Sequence, residues 1–196
     1  MSQIVEPITR RRARRALSNE PIGRELLEEI LAAAHLAPSC ANNQPWRFIV
    51  VVDQETLVSV KAGLSKGNYW AEPSPAIVAV VSHPELDCRI PDGRDYYAFG
   101  CGMAAMNLMI QATARDVIAH PIAGFRQAAV KEALGVPEPF QLITLIILGR
   151  QNAETSGLSD KHRAEERSDH DRRPLDDVVS WNRFDFADPV PQQTAD

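Results

Sequence analysis

Five arginines, Arg10, Arg11, Arg12, Arg14 and Arg15, fall within six positions near the start of the chain and form its densest cationic cluster. A guanidinium presents a planar fork of donors that matches phosphate or carboxylate, so two on one face make an anion clamp. If the segment is helical, Arg11 and Arg15 lie one turn apart with Arg12 beside them. A solvated cationic face is the plainer alternative for a charge run. A nucleic-acid arm is a third reading, weakened because the run has no interleaved aromatics and the rest of the chain offers no basic patch.

A second group of polar side chains lies in Ala37-Pro38-Ser39-Cys40-Ala41-Asn42-Asn43-Gln44-Pro45-Trp46. Pro38 and Pro45 fix their own φ and push the residues before them out of the α region, which stiffens the loop. Ser39, Asn42 and Gln44 could then face a phosphate or polyhydroxyl ligand, or could cap the loop's own backbone. Cys40 could be a nucleophile with His35 or His120 as base, or a packed thiol. In His120-Pro121-Ile122-Ala123-Gly124-Phe125, Gly124 can take a positive φ and let backbone approach a flat ligand, although an ordinary turn fits as well. The five histidines lack the close spacings of zinc motifs, and no glycine-rich nucleotide loop is present.

The elements that position these groups follow from apolar spacing. Leu27, Ile30, Leu31 and Ala34 predict a helix over 24–36, and Leu57, Val60 and Leu64 predict another over 55–64. Residues 47–52 and 76–81 are short β-branched runs that read as central strands. Residues 95–115 carry small or apolar side chains on nearly every side, so this long helix should be buried all round, in part by a second subunit. A strand near 117–120, a helix over 127–134 stopped by Gly135, and a strand over 142–148 complete an α/β or α+β alternation.

A chain of 196 residues with 44% hydrophobic content is long enough for one substantial core. No run of about 18 apolar residues could span a bilayer, and no signal-peptide pattern opens the sequence, so a cytoplasmic protein without membrane contact is expected. Cys40, Cys88 and Cys101 are odd in number and far apart, and are expected to be reduced thiols. The net charge of −5 sits in residues 151–196, which hold 6 basic and 11 acidic side chains. Residues 151–173 read as loop or solvated helix. Pro174 to Val179 and Trp181 regain apolar character, so an arm of about 151–183 should dock on the core or a partner, and 184–196 should be a disordered tail.

In order and spacing, Arg11-Arg12-Ala13-Arg14-Arg15-Ala16-Leu17, Glu20-Pro21-Ile22, Ala33 to Ser39, Asn42 and Gln44-Pro45-Trp46-Arg47-Phe48 resemble the opening of the FMN-dependent nitroreductase family. The resemblance continues through Gly67-Asn68-Tyr69-Trp70-Ala71, the Tyr96 to Ala112 helix, His120 to Phe125, the strand ending at Gly149, and Arg172-Arg173-Pro174-Leu175 with Val178-Val179, so it spans about residues 8–183. It implies a single nitroreductase-like α+β domain with a central mixed sheet flanked by helices, and an intertwined homodimer whose two FMN sites lie at the interface. Arg11, Arg12, Arg15 and Arg173 would hold the phosphate and the polar edge of the flavin. Pro38, Ser39, Asn42 and Gln44 would line the site from the partner subunit, Asn68 would approach the ring edge, and Pro121, Ala123 and Gly124 would cover the ring with backbone. Ala13 lies in the same binding segment where the family usually carries serine, Leu17 replaces an aromatic residue, and Asp171 stands two residues before Arg173. The implied activity is hydride transfer from NADH or NADPH through FMN to a nitroaromatic, quinone or enone acceptor, with no side-chain acid or base and no metal. A flavin storage or sensing protein is the alternative.

Overall fold

Every residue of strand β2 (Ala76–Ser82) is buried, which explains an apolar run without alternation. Both of its faces are covered. Val78 and Val80, with Ile146 and Leu148 of the neighbouring strand, join one core with Ile30, Ala34, Ala104 and Leu108. Ile77, Ala79 and Val81, with Leu145 and Ile147, join a second core with Leu57, Val60, Trp70 and Val130. The structure is a computed structural model that describes residues 4–186.

The sheet has four strands in the order β1-β2-β4-β3, where β1 is Arg47–Val51, β3 is Ile118–Ile122 and β4 is Gln141–Gly149. All three pairings are antiparallel, so the α+β class holds but the sheet of the single chain is not mixed. Nor are both early strands central: β2 lies inside the sheet and β1 is an edge, with Arg47 exposed at its start.

Helices α2 (Arg24–His35) and α4 (Tyr96–Ala114) pack on one face of the sheet, and α3 (Gln54–Ala62) and α5 (Gln127–Ala133) on the other. Helix α5 ends as expected: Gly135, at φ +62°, donates to Glu132 O at 3.1 Å, and Val136 N to Lys131 O at 2.9 Å, which satisfies the last carbonyls. Helix α4 is not buried all round. Cys101, Ala104, Leu108 and Ala112 face the core, while Phe99 is 56% exposed and Met103, Met106 and Ile110, at helical spacing from it, are half-buried. Among the described residues this face is only partly covered.

The arginine run is not helical. Helix α1 covers only Glu6–Arg10, and the chain then runs extended, with Leu17 bridged to Gln151. Its backbone is fixed from the far side of the sequence: Ser18 N donates to Arg150 O at 2.9 Å and Asn152 N to Ala16 O at 2.8 Å. Leu17 is buried against Gly149, where a Cβ would lie 3.3 Å from the leucine side chain. The cysteines are also not all reduced. Cys40 and Cys88 form a disulfide, and Cys101 is a buried thiol.

The chain divides into two compact units, residues 1–166 and 167–196. The second carries a short 3₁₀ turn at Leu175–Asp177 and an exposed Trp181. The part of the expected tail from 187 to 196 lies outside the described residues.

Candidate functional site

The extended arginine segment lies between two clefts. Arg12 and Arg14, with Gln151, line one of about 270 Å³, and Arg15, Tyr69 and Trp70 line another of about 290 Å³, as the two-residue alternation of an extended chain requires. Two carboxylates from α6 (Asp160–Arg167) meet this segment. Glu166 accepts from the backbone N–H of Arg15 and of Ala16, the latter at 2.9 Å, and its second oxygen lies 3.8 Å from the Arg14 guanidinium. Glu165 pairs with the Arg15 guanidinium, which also sits 5.9 Å over the Trp70 ring.

Trp70 stacks on His120 at 4.4 Å. His120 Nδ1 is 3.0 Å from the carbonyl oxygen of Arg14. A carbonyl only accepts, so Nδ1 carries the proton and donates. Burial above all, with the Arg15 cation adding to it and the hydrogen bond to Arg14 opposing it, pushes the His120 pKa down to about 4. The ring is therefore neutral at pH 7. Beside it, Asn68 donates to Gly124 O at 2.7 Å, and Ser65 N donates to the same oxygen at 2.8 Å. Gly124 does not use a left-handed φ. Its lack of a side chain serves close approach instead: a Cβ there would lie 2.7 Å from Asn68 Nδ2.

These contacts gather Arg15, Asn68, Trp70, His120 and Gly124 into one cluster, with Pro121 half-buried on β3 and Ala123 exposed beyond it. Arg11 and Arg12 are half-buried, Ala13 is exposed, and Arg12 donates to Thr9 O at 2.6 Å. Arg173 stands exposed in the second unit. The sequence did not single out Glu165 and Glu166, because two glutamates in a charged stretch carry no signal of what they face.

The loop from Pro38 to Gln44 is elsewhere. Pro45 sits on Gly100, where a Cβ would be 3.3 Å from its ring, so the loop lies beside the N-terminal part of α4 and ahead of edge strand β1. Arg10 bonds Thr113 O at the other end of α4 and pairs with Asp116 at 3.0 Å. Gly100 and Thr113 are separated by 13 residues, about 20 Å of helix at 1.5 Å per residue. The β1 and β3 edges are also three strand spacings apart, about 14 Å. Within the loop, Ser39 Oγ accepts from Gln44 N at 2.9 Å and Gln44 Nε2 donates to Asn42 O at 2.8 Å. His35 accepts from the Trp46 indole at 3.1 Å, and Cys40 is bonded to Cys88, so neither expected base reaches a Cys40 thiol and the nucleophile reading falls.

Helices on both faces of an antiparallel sheet, with an arginine segment and a tight glycine turn on one edge, define an α+β protein with a cationic cleft. The Nitroreductase family profile matches residues 8–83 and 64–150, and the chain belongs to that family of oxidoreductases. A protein of Archaeoglobus fulgidus, provisionally named NADH dehydrogenase/NAD(P)H nitroreductase, is 32% identical over 88% of this chain and 97% of its own. The NADH dehydrogenase of Thermus thermophilus is 26% identical over 88% of this chain and 92% of its own. Among solved structures, an oxidoreductase containing FMN superposes with a TM-score of 0.82 at 30% identity, covering 95% of this chain and 96% of that one. A nitroreductase family protein of Clostridium difficile shares the fold, with a TM-score of 0.76 at 21% identity, covering 93% and 100%.

Proposed function

We propose that this chain is an FMN-dependent NAD(P)H oxidoreductase that acts as a homodimer with composite sites. One copy supplies Arg11, Arg12, Arg15, Asn68, Pro121, Ala123 and Gly124, with Ala13 in the same segment. The second copy supplies Pro38, Ser39, Asn42 and Gln44. The observation that carries this reading is the separation of the two groups to opposite ends of α4 and opposite edges of the sheet. A single copy cannot close them on one ligand. The partly exposed apolar face of α4 gives the second copy a surface to pack on.

The residues present suit FMN. Guanidinium groups match a phosphate, and the absence of a side chain at Gly124 lets Asn68 pack against that turn, which holds the Asn68 amide where the resemblance places a flavin contact. FMN, when bound, accepts hydride from NADH or NADPH and passes electrons to a nitroaromatic, quinone or enone acceptor. The chain's part is to bind and orient. The arginine segment balances the phosphate and the negative charge that develops on the reduced ring. The neutral His120 fixes the carbonyl of Arg14, and Glu166 fixes the amides of Arg15 and Ala16, so the guanidiniums start from an anchored backbone.

Titration of the apoprotein with FMN, read by quenching of flavin fluorescence, tests this assignment. Arg15→Ala should weaken binding by about tenfold or more, while Arg24→Ala, an exposed arginine on α2, should leave it unchanged. Equal binding by wild type and Arg15→Ala would remove the phosphate assignment.

A further inference from the structure

The Cys40–Cys88 disulfide ties the Pro38 to Gln44 loop to the segment that follows β2. The tether acts on a loop whose backbone resists its own shape: Ala41, Asn42 and Gln44 have φ of 48°, 58° and 52°. Asparagine visits that left-handed region readily, but alanine and glutamine do so at a cost and only when neighbours enforce it. The enforcing contacts are few. Besides the loop's internal bonds, Asn43 reaches Asp87 at 3.4 Å and Cys88 Sγ at 3.5 Å, the Arg47 guanidinium donates to Gln44 O at 3.1 Å, and Ser82 Oγ donates to Pro45 O at 2.7 Å.

Asp87 lies against the pair. It is 7% exposed, its Oδ1 accepts from Cys88 N at 2.8 Å, and its Oδ2 has no hydrogen-bond partner. A carboxylate oxygen lies within 4.8 Å of both sulfurs. Both cysteines are half-buried, which leaves the bond open to an attacking thiolate.

We propose that Cys40–Cys88 is a site of reversible thiol–disulfide exchange with a dithiol reductant, and that the closed bond holds the Pro38 to Gln44 loop in its flavin-binding shape. The inference rests on the composite site proposed above. One thiolate of the dithiol attacks one sulfur, breaks the S–S bond and forms a mixed disulfide. Its second thiol then displaces the first, so the dithiol is oxidised by two electrons, the cysteines are reduced by two, and the two protons of the dithiol end on Cys40 and Cys88. With the tether gone, Ala41 and Gln44 relax to negative φ, and Ser39, Asn42 and Gln44 lose their arrangement.

Thiol counting, FMN titration and amide exchange test this together. The denatured protein should alkylate at Cys101 alone before dithiothreitol and at all three cysteines after it. Reduced wild type should bind FMN at least about fivefold more weakly, as the lost preorganisation requires, and exchange its amides faster over residues 38–44. Cys88→Ser should match reduced wild type in both readings and ignore the reductant. Three reactive thiols before treatment, or identical binding and exchange in the two redox states, would overturn the proposal. If the oxidised protein takes up no FMN, the composite site is wrong, and loop exchange alone decides the clamp: faster after reduction supports it, unchanged defeats it.

Discussion

At Arg15 one guanidinium is held by the Glu165 carboxylate and the Trp70 face, and it is also the group assigned to a cofactor phosphate. Glu165 is partly exposed and its charge opposes an arriving phosphate. Glu165→Gln should therefore tighten FMN binding by about fivefold, the worth of one solvent-screened charge contact of about 1 kcal/mol. Equilibrium titration at two salt concentrations checks this, and the gain should shrink at the higher one. Nearby, His120 titrates at about 4 in the folded chain against an ordinary 6.5. Between those values the unfolded chain takes up a proton that the folded chain refuses, so stability falls as pH drops through that window. Its share should be roughly 2 kcal/mol between pH 7 and pH 5. Urea unfolding of wild type and His120→Gln at both pH values measures the difference in slope. The sequence made the clustered arginines and His120 visible as chemistry-bearing types. It did not reveal their backbone, because charge spacing alone does not tell a helix from an extended run, and the deciding acceptor, Glu166, lies about 150 positions away.

Helices with one apolar stripe were legible at the scale of the element, since Leu27, Ile30 and Ala34 all point into one core. Gly135 marked the end of α5 for the same local reason. Sheet position was not legible: Arg47 to Val51 reads as apolar as Ala76 to Ser82, yet one is an edge and the other is central, because neighbours are chosen by long-range pairing. The disulfide was hidden likewise, since its partners stand 48 residues apart and a third cysteine obscures the count. The close packing of α3 against α5 yields a stability test. Gly63 is buried at the end of α3, and a Cβ there would lie 2.6 Å from Val130 Cγ2. Gly63→Ala should cost about 1–3 kcal/mol by overpacking, measured as a lower denaturation midpoint with an unchanged slope.

For the whole molecule, the composite site makes a demand that no single chain meets. Arg15→Ala and Asn42→Ala should each lose FMN as homodimers. Co-expressed, they should form heterodimers with one intact site and one doubly altered site, so bound flavin returns at one per heterodimer. Sites contained within one chain would give no recovery. Analytical ultracentrifugation should show a dimer, and Met106→Lys on the partly exposed face of α4 should shift it toward monomer and release flavin with it. The central claim is nonetheless the reaction, and anaerobic mixing of the FMN-loaded protein with NADH and with NADPH tests it most directly. Bleaching of the visible flavin absorbance by at least one of them, reversed on adding a quinone, is the result expected. A flavin that stays oxidised with both nucleotides would contradict the account.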